Sequence, residues 1–294
     1  MKYFLLKFLS AIKNINIILL LKISYAILKR NYSKYPIYVK KFEKSLADKF
    51  SFKYCLTFSS GTAAFYASIE SLNLKDKSKV LITSLTFPSI IEILKKKNFE
   101  IFYINLNKDF EFDLENFKNE NFDLCVLTHP FGFYLNYKDL KNILGENTKI
   151  IFDSSHSQGI EIEGKSHMKF SHISFMSLQG NKSISGGEGG VIFTDEEDLY
   201  LKMINNHHPG HTDNKKLKIA GGINDLKLRM HPLAAIIGYQ DLKSFEKRNK
   251  KLKAKITMIY DYLNDLKIQN PYNQKTNIGG FHFGIPFFTK KKLR

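Results

Sequence analysis

Apolar and polar positions along this 294-residue chain change period several times. Val39, Phe42, Leu46 and Phe50 recur at helical spacing, which predicts an amphipathic helix over Tyr38–Phe50. Short apolar runs follow at Tyr54–Phe58, Val80–Thr83, Ile101–Ile104, Phe122–Leu127, Lys149–Phe152, Ile173–Met176 and Val191–Thr194. Each has the length of a strand. Helical stretches separate several of them, at Ala63–Leu72, from Pro88 to about Lys97, and at Glu196–Asn206. This alternation predicts an α/β fold, a mainly parallel sheet with helices on both faces. His231–Leu266 predicts one long helix with Pro232 in its first turn, and Phe281–Phe288 a strand. Ligands in such sheets sit beyond the carboxyl ends of strands. Gly61, Phe87, His129, Asp153 and His156 all fall just past predicted strand ends.

Met1–Arg30 is apolar, but Lys2, Lys7, Lys13, Lys22 and Lys29 interrupt it. Its longest uncharged run, Asn14–Leu21, is well short of the ~20 residues a spanning helix needs. No small-residue cleavage site follows a clean apolar stretch, so a signal peptide is not expected. The segment predicts one or two helices. Its lysines do not gather on one helical face, which favours packing on the body over contact with a membrane surface.

The chain is 43% hydrophobic, an ordinary share for a globular protein, and its length allows one large domain or two smaller ones. Cys55 and Cys125 each lie in an apolar run, which predicts buried thiols rather than a disulfide or metal pair, and with them a reducing, cytoplasmic setting. The net charge is +17, but the lysines are scattered rather than striped and no nucleic-acid motif accompanies them. A solvated basic surface is expected, not a nucleic-acid interface. The histidines of Asn206–Asp213 lack regular ligand spacing and a nearby cysteine, so no metal site is expected there.

The chemistry concentrates in Ser171–Thr194. A strand leads into Ser177, Gln179 and Lys182, then a glycine cluster (Gly186, Gly187, Gly189, Gly190), then a second strand. Glycines permit a sharp turn, and the pattern holds one lysine on a tight loop. Such a lysine is either an exposed turn residue or a nucleophile toward a carbonyl, forming a Schiff base. Asp153, closing an earlier strand, favours the second reading. An acid and a lysine, each at a strand end, suit a pyridoxal phosphate site, with the acid facing the pyridinium nitrogen. Ser59-Ser60-Gly61-Thr62, between a strand and a small-residue helix, is either an ordinary N-cap or a phosphate-binding helix terminus.

Four stretches, FSSGTAAF (Phe58–Phe65), SLTFPSI (Ser84–Ile90), FDSSHSQG (Phe152–Gly159) and SLQGNKSISGGEGGVIFT (Ser177–Thr194), together resemble the DegT/DnrJ/StrS-type family of pyridoxal-phosphate-dependent sugar aminotransferases. KLRMHPLAAIIGYQDL (Lys227–Leu242) supports them, and the resemblance covers roughly Tyr38–Leu266. It implies the type I transferase fold, with a seven-stranded sheet, a large cofactor domain at 36–250, a preceding helical segment at 1–35, and a small C-terminal domain begun at 251–294 and cut short. It implies Lys182 as the Schiff-base lysine and Asp153 as the partner of the pyridine nitrogen. Phe87 would stack on the cofactor ring and His156 stand beside it. Gly61, Thr62 and Ser177 would face the phosphate. The implied reaction carries an amino group from glutamate or glutamine to a nucleotide-linked keto-sugar, for surface polysaccharide or amino-sugar synthesis. The implied assembly is a homodimer with shared sites. Lys227 departs from the family, which often places an asparagine there to reach the neighbouring subunit's phosphate. A sugar dehydratase of the same family, or an inactive scaffold, are the alternatives. The dehydratase is associated with histidine where Lys182 stands.

Overall fold

The computed structural model describes residues 17–29, 35–107, 117, 120–132, 144–145, 147–207, 226–270 and 285–287. In chain order the elements are α1 (Ile17–Leu28), α2 (Tyr35–Phe50), β1 (Tyr54–Phe58), α3 (Gly61–Leu72), β2 (Lys79–Thr83), α4 (Pro88–Lys96), β3 (Glu100–Ile104) and β4 (Leu124–Thr128). Then come β5 (Lys149–Asp153), the small hairpin β6 (Glu161–Ile162) and β7 (Lys165–Ser166), β8 (Ile173–Ser177), β9 (Gly190–Thr194), α5 (Glu197–His207), α6 (Pro232–Leu242) and α7 (Phe245–Asp265).

Seven strands form one sheet in the order β1-β9-β8-β5-β4-β2-β3. The pairings from β8 through β3 are all parallel, and β9 runs antiparallel to both β8 and β1. The fold is therefore the mainly parallel α/β sheet that the alternation predicts. Because side chains alternate across a pleated strand, each strand serves two cores. Ile82, Val126, Ile151, Phe175 and Ile192 face one way and pack with Phe65 and Ile69 of α3, Leu94 of α4 and Met203 of α5. On the opposite face, Leu81, Cys125, Leu127 and Phe152 form a second cluster. Met176, Val191 and Phe193 pack there with Val39, Phe42 and Leu46 of α2. Cys55 and Cys125 are buried free thiols, as their apolar settings predict.

Two expectations change. The single helix over His231–Leu266 is two helices. The carbonyl of Asp241 accepts from the Ser244 N–H and Oγ, each at 3.1 Å, and this turn breaks the helical ladder after Leu242. The strand expected at Phe281–Phe288 falls mostly outside the described residues, and Ile285–Phe287 carry no strand.

Within the N-terminal segment, α1 rests on α6. Lys22 Nζ donates to Gln240 Oε1 at 3.0 Å, and Ala26 is fully buried. The packing is one-sided, since Leu21, Tyr25 and Leu28 remain exposed. Among the described residues no helix is long and apolar enough to cross a membrane.

Two features of this scaffold give measurable expectations. Gly190 pairs with both Phe58 and Ser177, and a Cβ there would lie 2.1 Å from the carbonyl oxygen of Ser60. Gly190→Ala must push β9 from the start of α3, at a cost of about 1–3 kcal/mol. Urea unfolding should show a lower midpoint; an unchanged one would contradict the packing. The second feature is the carboxyl of Glu43, which accepts from the Thr57 N–H at 2.8 Å and Oγ1 at 2.9 Å. Burial pushes its pKa up to about 7, against an ordinary 4.5. The folded state thus binds this proton more tightly than the unfolded one. The resulting stability is present below about pH 4.5 and is lost as pH rises through about 7, on the order of 3 kcal/mol. Glu43→Gln keeps the accepting oxygen without the charge. It should raise the melting temperature at pH 8 and barely move it at pH 5.

Candidate active site

At the carboxyl edge of the parallel strands lies a cleft of about 440 Å³, inside the ~300–1,000 Å³ range of small-molecule sites. Gly61, Thr62, Phe87, Asp153, His156, Ser177 and Lys182 all line it. The sheet topology brings together residues spread over more than a hundred positions of sequence.

Asp153 ends β5 and is 4% exposed. The Ser155 N–H donates to its Oδ1 at 3.0 Å. Burial raises its pKa above the ordinary carboxylate value, while the hydrogen bonds from Ser155 and the charge of Lys182 pull the other way. Ser155 has a second task, since its Oγ accepts from the Ser177 N–H at 2.9 Å and ties the end of β8 to the turn after β5.

Lys182 stands on the loop from β8 to β9, which the Ser177–Gly190 pair closes. Gly187 and Gly189 take φ values of 84° and 150°, and a Cβ on Gly189 would strike Met230 Cε at 2.4 Å. The loop can fold back only with glycine there. Lys182 is half-buried. Desolvation lowers its pKa to about 8, and the charge of Asp153 acts in the opposite direction. His156 is lowered to about 4, first by burial and then by the charge of Lys182, so its imidazole is neutral at pH 7.

The first turn of α3 also lines the cleft. Ser60 caps it, accepting from the Ala63 N–H at 3.0 Å. A Cβ on Gly61 would meet Ser177 Cβ at 3.0 Å, so the helix terminus presses against the end of β8. Backbone N–H groups of a first turn have no partners within the helix and are disposed to bind anions. The Thr62 and Ser89 hydroxyls lie 3.0 Å apart, and those of Thr86 and Thr128 2.7 Å apart. These contacts hold the segment that carries Phe87 across the ends of the neighbouring strands. Phe87 is 64% exposed, an aromatic ring presented at the cleft rather than packed in the core. Phe131, which also lines the cleft, takes φ 53°, a value bulky residues rarely adopt, and its ring centroid lies 6.4 Å from that of His156.

His129 departs from the expectation that the strand-end residues converge. It is fully buried, and its ring packs edge-on against Phe152 and His167 at 4.9 Å. The pleat explains this. Thr128 pairs with Asp153 and shares its face, so the next side chain points away. His207, from the histidine cluster, is also a core residue, with Nε2 2.6 Å from the carbonyl of Thr57; positions 208–213 lie outside the described residues. Sequence reasoning missed Ser155 and Gln158. Ser155 was legible in principle, because a residue two after an aspartate commonly donates its N–H to that carboxylate. Lys227 is exposed in the segment that runs beside the end of β1, where the Ser59 N–H donates to Leu228 O at 2.7 Å.

Comparison with known proteins agrees with this architecture. GDP-perosamine synthase of Escherichia coli O157:H7 is 26% identical over 172 residues, covering 57% of this chain and 47% of that protein. The Vibrio cholerae GDP-perosamine synthase is 24% identical over 253 residues, covering 83% and 67%. The chain thus spans about half to two thirds of the length of these curated relatives. Among solved structures, E. coli GDP-4-keto-6-deoxy-D-mannose-3-dehydratase with bound hydrated PLP superposes with a TM-score of 0.77 at 20% identity, covering 92% of this chain and 76% of that one. The model of the DegT/DnrJ/EryC1/StrS aminotransferase family matches residues 23–292, and this chain belongs to that family.

Proposed function

We propose that the cleft binds pyridoxal 5′-phosphate and that the protein transfers an amino group from glutamate or glutamine to a nucleotide-linked keto-sugar, for surface polysaccharide or amino-sugar synthesis. The observation that carries this reading is the convergence of a buried acid, Asp153, and a half-buried lysine of lowered pKa, Lys182, on one cleft at the strand ends. The residues present fit the cofactor. A buried carboxyl whose pKa is raised lacks a full counter-charge, which a protonated pyridine nitrogen supplies. The terminus of α3 at Gly61 and Thr62, with the Ser177 hydroxyl, suits a phosphate. The exposed ring of Phe87 offers a stacking face, and neutral His156, which lines the same cleft, would stand beside the cofactor ring.

When bound, pyridoxal phosphate supplies an electrophilic carbonyl carbon and a ring that accepts electrons. The rest falls to the chain. With a pKa near 8, roughly a tenth of Lys182 is neutral amine at pH 7, far more than for an ordinary lysine, and this is the form that attacks a carbonyl carbon. With the cofactor bound, the Lys182 amine would be the group to take a proton from one carbon and return it to another. Asp153 keeps the ring nitrogen protonated. Lysine, rather than histidine, at position 182 favours amino transfer over the dehydratase chemistry of some relatives. The assignment of residues 36–250 to the cofactor domain, with 1–35 before it and a small domain beginning at 251, belongs to this reading. So do a cytoplasmic setting and a homodimer in which Lys227 meets the partner's phosphate.

Borohydride reduction of the protein with pyridoxal phosphate should leave the adduct on Lys182, located by peptide mass spectrometry, and Lys182→Ala should abolish it without unfolding the chain. An adduct found only on another lysine would refute the assignment. Capture should rise as pH passes through about 8, where the amine loses its proton. Asp153→Asn should retain some cofactor but slow amino transfer by orders of magnitude, each tenfold being about 1.4 kcal/mol of barrier.

A further inference from the structure

The three residues that follow Lys182 are each held by a side chain from elsewhere. The Ser183 carbonyl accepts from Arg248 Nη2 at 2.7 Å. The Ile184 N–H donates to Gln158 Oε1 at 2.8 Å. The Ser185 N–H donates to Asp241 Oδ2 at 3.0 Å. These holders are themselves tied together. Arg248 Nη2 also donates to Asp241 Oδ2 at 2.7 Å, joining α7 to the end of α6. Gln158 Nε2 donates to the Ser177 carbonyl at 3.0 Å, so one amide ties the start of the loop to its middle. Gln158 is 1% exposed and none of the three lines the cleft. A loop with several glycines has little stiffness of its own. Backbone hydrogen bonds within it are one turn, Lys182 N–H to Gln179 O, and two longer-range ties, Gly186 N–H to Leu178 O and Leu178 N–H to Gly189 O, at 2.9 Å each; they leave the backbone of 183–185 to outside partners.

We propose that Gln158, Asp241 and Arg248 are positioning residues, a three-point clamp that fixes where the Lys182 amine stands relative to Asp153. The inference rests on the reading of Lys182 as the cofactor-binding lysine for its consequence, though not for its geometry. The clamp acts by restricting the amine to its half-buried place. Released, the loop lets the amine reach water, and the desolvation that lowers its proton affinity is relieved. The clamp also links α7 to the site, so a displacement of that helix reaches Lys182 through Arg248.

The test follows acetylation of Lys182 by acetic anhydride across pH 6–11 in the full chain without pyridoxal phosphate, read by peptide mass spectrometry. Capture of added pyridoxal phosphate is then measured at pH 7.5. Wild type should half-titrate near pH 8. Gln158→Leu and Asp241→Ala should move the midpoint up by about one pH unit or more. Capture should then fall about tenfold, because each unit of pKa removes about tenfold of neutral amine. Asp241→Asn keeps an oxygen for the Ser185 N–H and should stay within about twofold of wild type. Circular dichroism and melting temperature report whether each variant folds. Asp241 is partly exposed, so its two variants carry the test if Gln158→Leu does not fold. Folded variants with the wild-type midpoint and capture rate would overturn the clamp. If wild type shows the low midpoint but captures no pyridoxal phosphate at Lys182, the proposed function falls and the clamp is still decided by acetylation.

Discussion

Asp153 and Lys182 are both drawn out of water at one cleft, and burial works against the charge of each. It raises the pKa of the acid and lowers that of the amine, and each charge partly restores the other. Opposite charges withdrawn from water hold their places only where the surroundings over-determine their geometry. The structure meets that demand from three directions. Ser155 orients the Asp153 carboxyl and ties the end of β8 to the turn that bears it. The loop carrying Lys182 is closed at its base by the Ser177–Gly190 pair. The terminus of α3 presses on Ser177 so closely that a Cβ on Gly61 would crowd it at 3.0 Å. Behind all three, the two-faced sheet supplies the stiffness, with apolar clusters on both sides of the strands that end at the cleft.

Much of this was legible in the sequence, for a definite reason. The strands announce themselves by short apolar runs, and the observed bounds fall within about two residues of those runs. Lys149–Asp153, for example, extends the run Lys149–Phe152 by one. Lys182 and Asp153 were legible because glycine clustering and strand ends are local signals. What failed depends on information that no local window holds. The break between α6 and α7 leaves no gap in the apolar spacing, because Leu242 and Phe245 continue it; the turn is made by the carbonyl of Asp241. His129 sits at a strand end as expected, but its facing depends on the phase of the pleat, which register with β5 sets. Gln158 lies within FDSSHSQG, but it acts on backbone groups of Ser177 and Ile184, 19 and 26 residues away, and that role has no local signal.

The position of β9 has a consequence for how the protein comes to be made. β8 and β9 are joined by a short loop, so the Lys182 wall of the cleft closes through contacts near in sequence. β1 lies at the edge of the sheet, and its strand neighbour, β9, is about 140 residues further along the chain. Closing so long a loop is slow compared with forming a hairpin. While the chain is being synthesised, β1 therefore leaves the ribosome well before its partner exists. Leu56 and Phe58 wait uncovered on an unpaired strand, the kind of surface on which nascent chains aggregate or recruit chaperones. The α3 wall, which begins three residues after β1, can take its final place only when Gly190–Thr194 has emerged. The enclosure around Asp153 and Lys182 is thus completed late on the ribosome, by the strand that arrives last among those of the described residues.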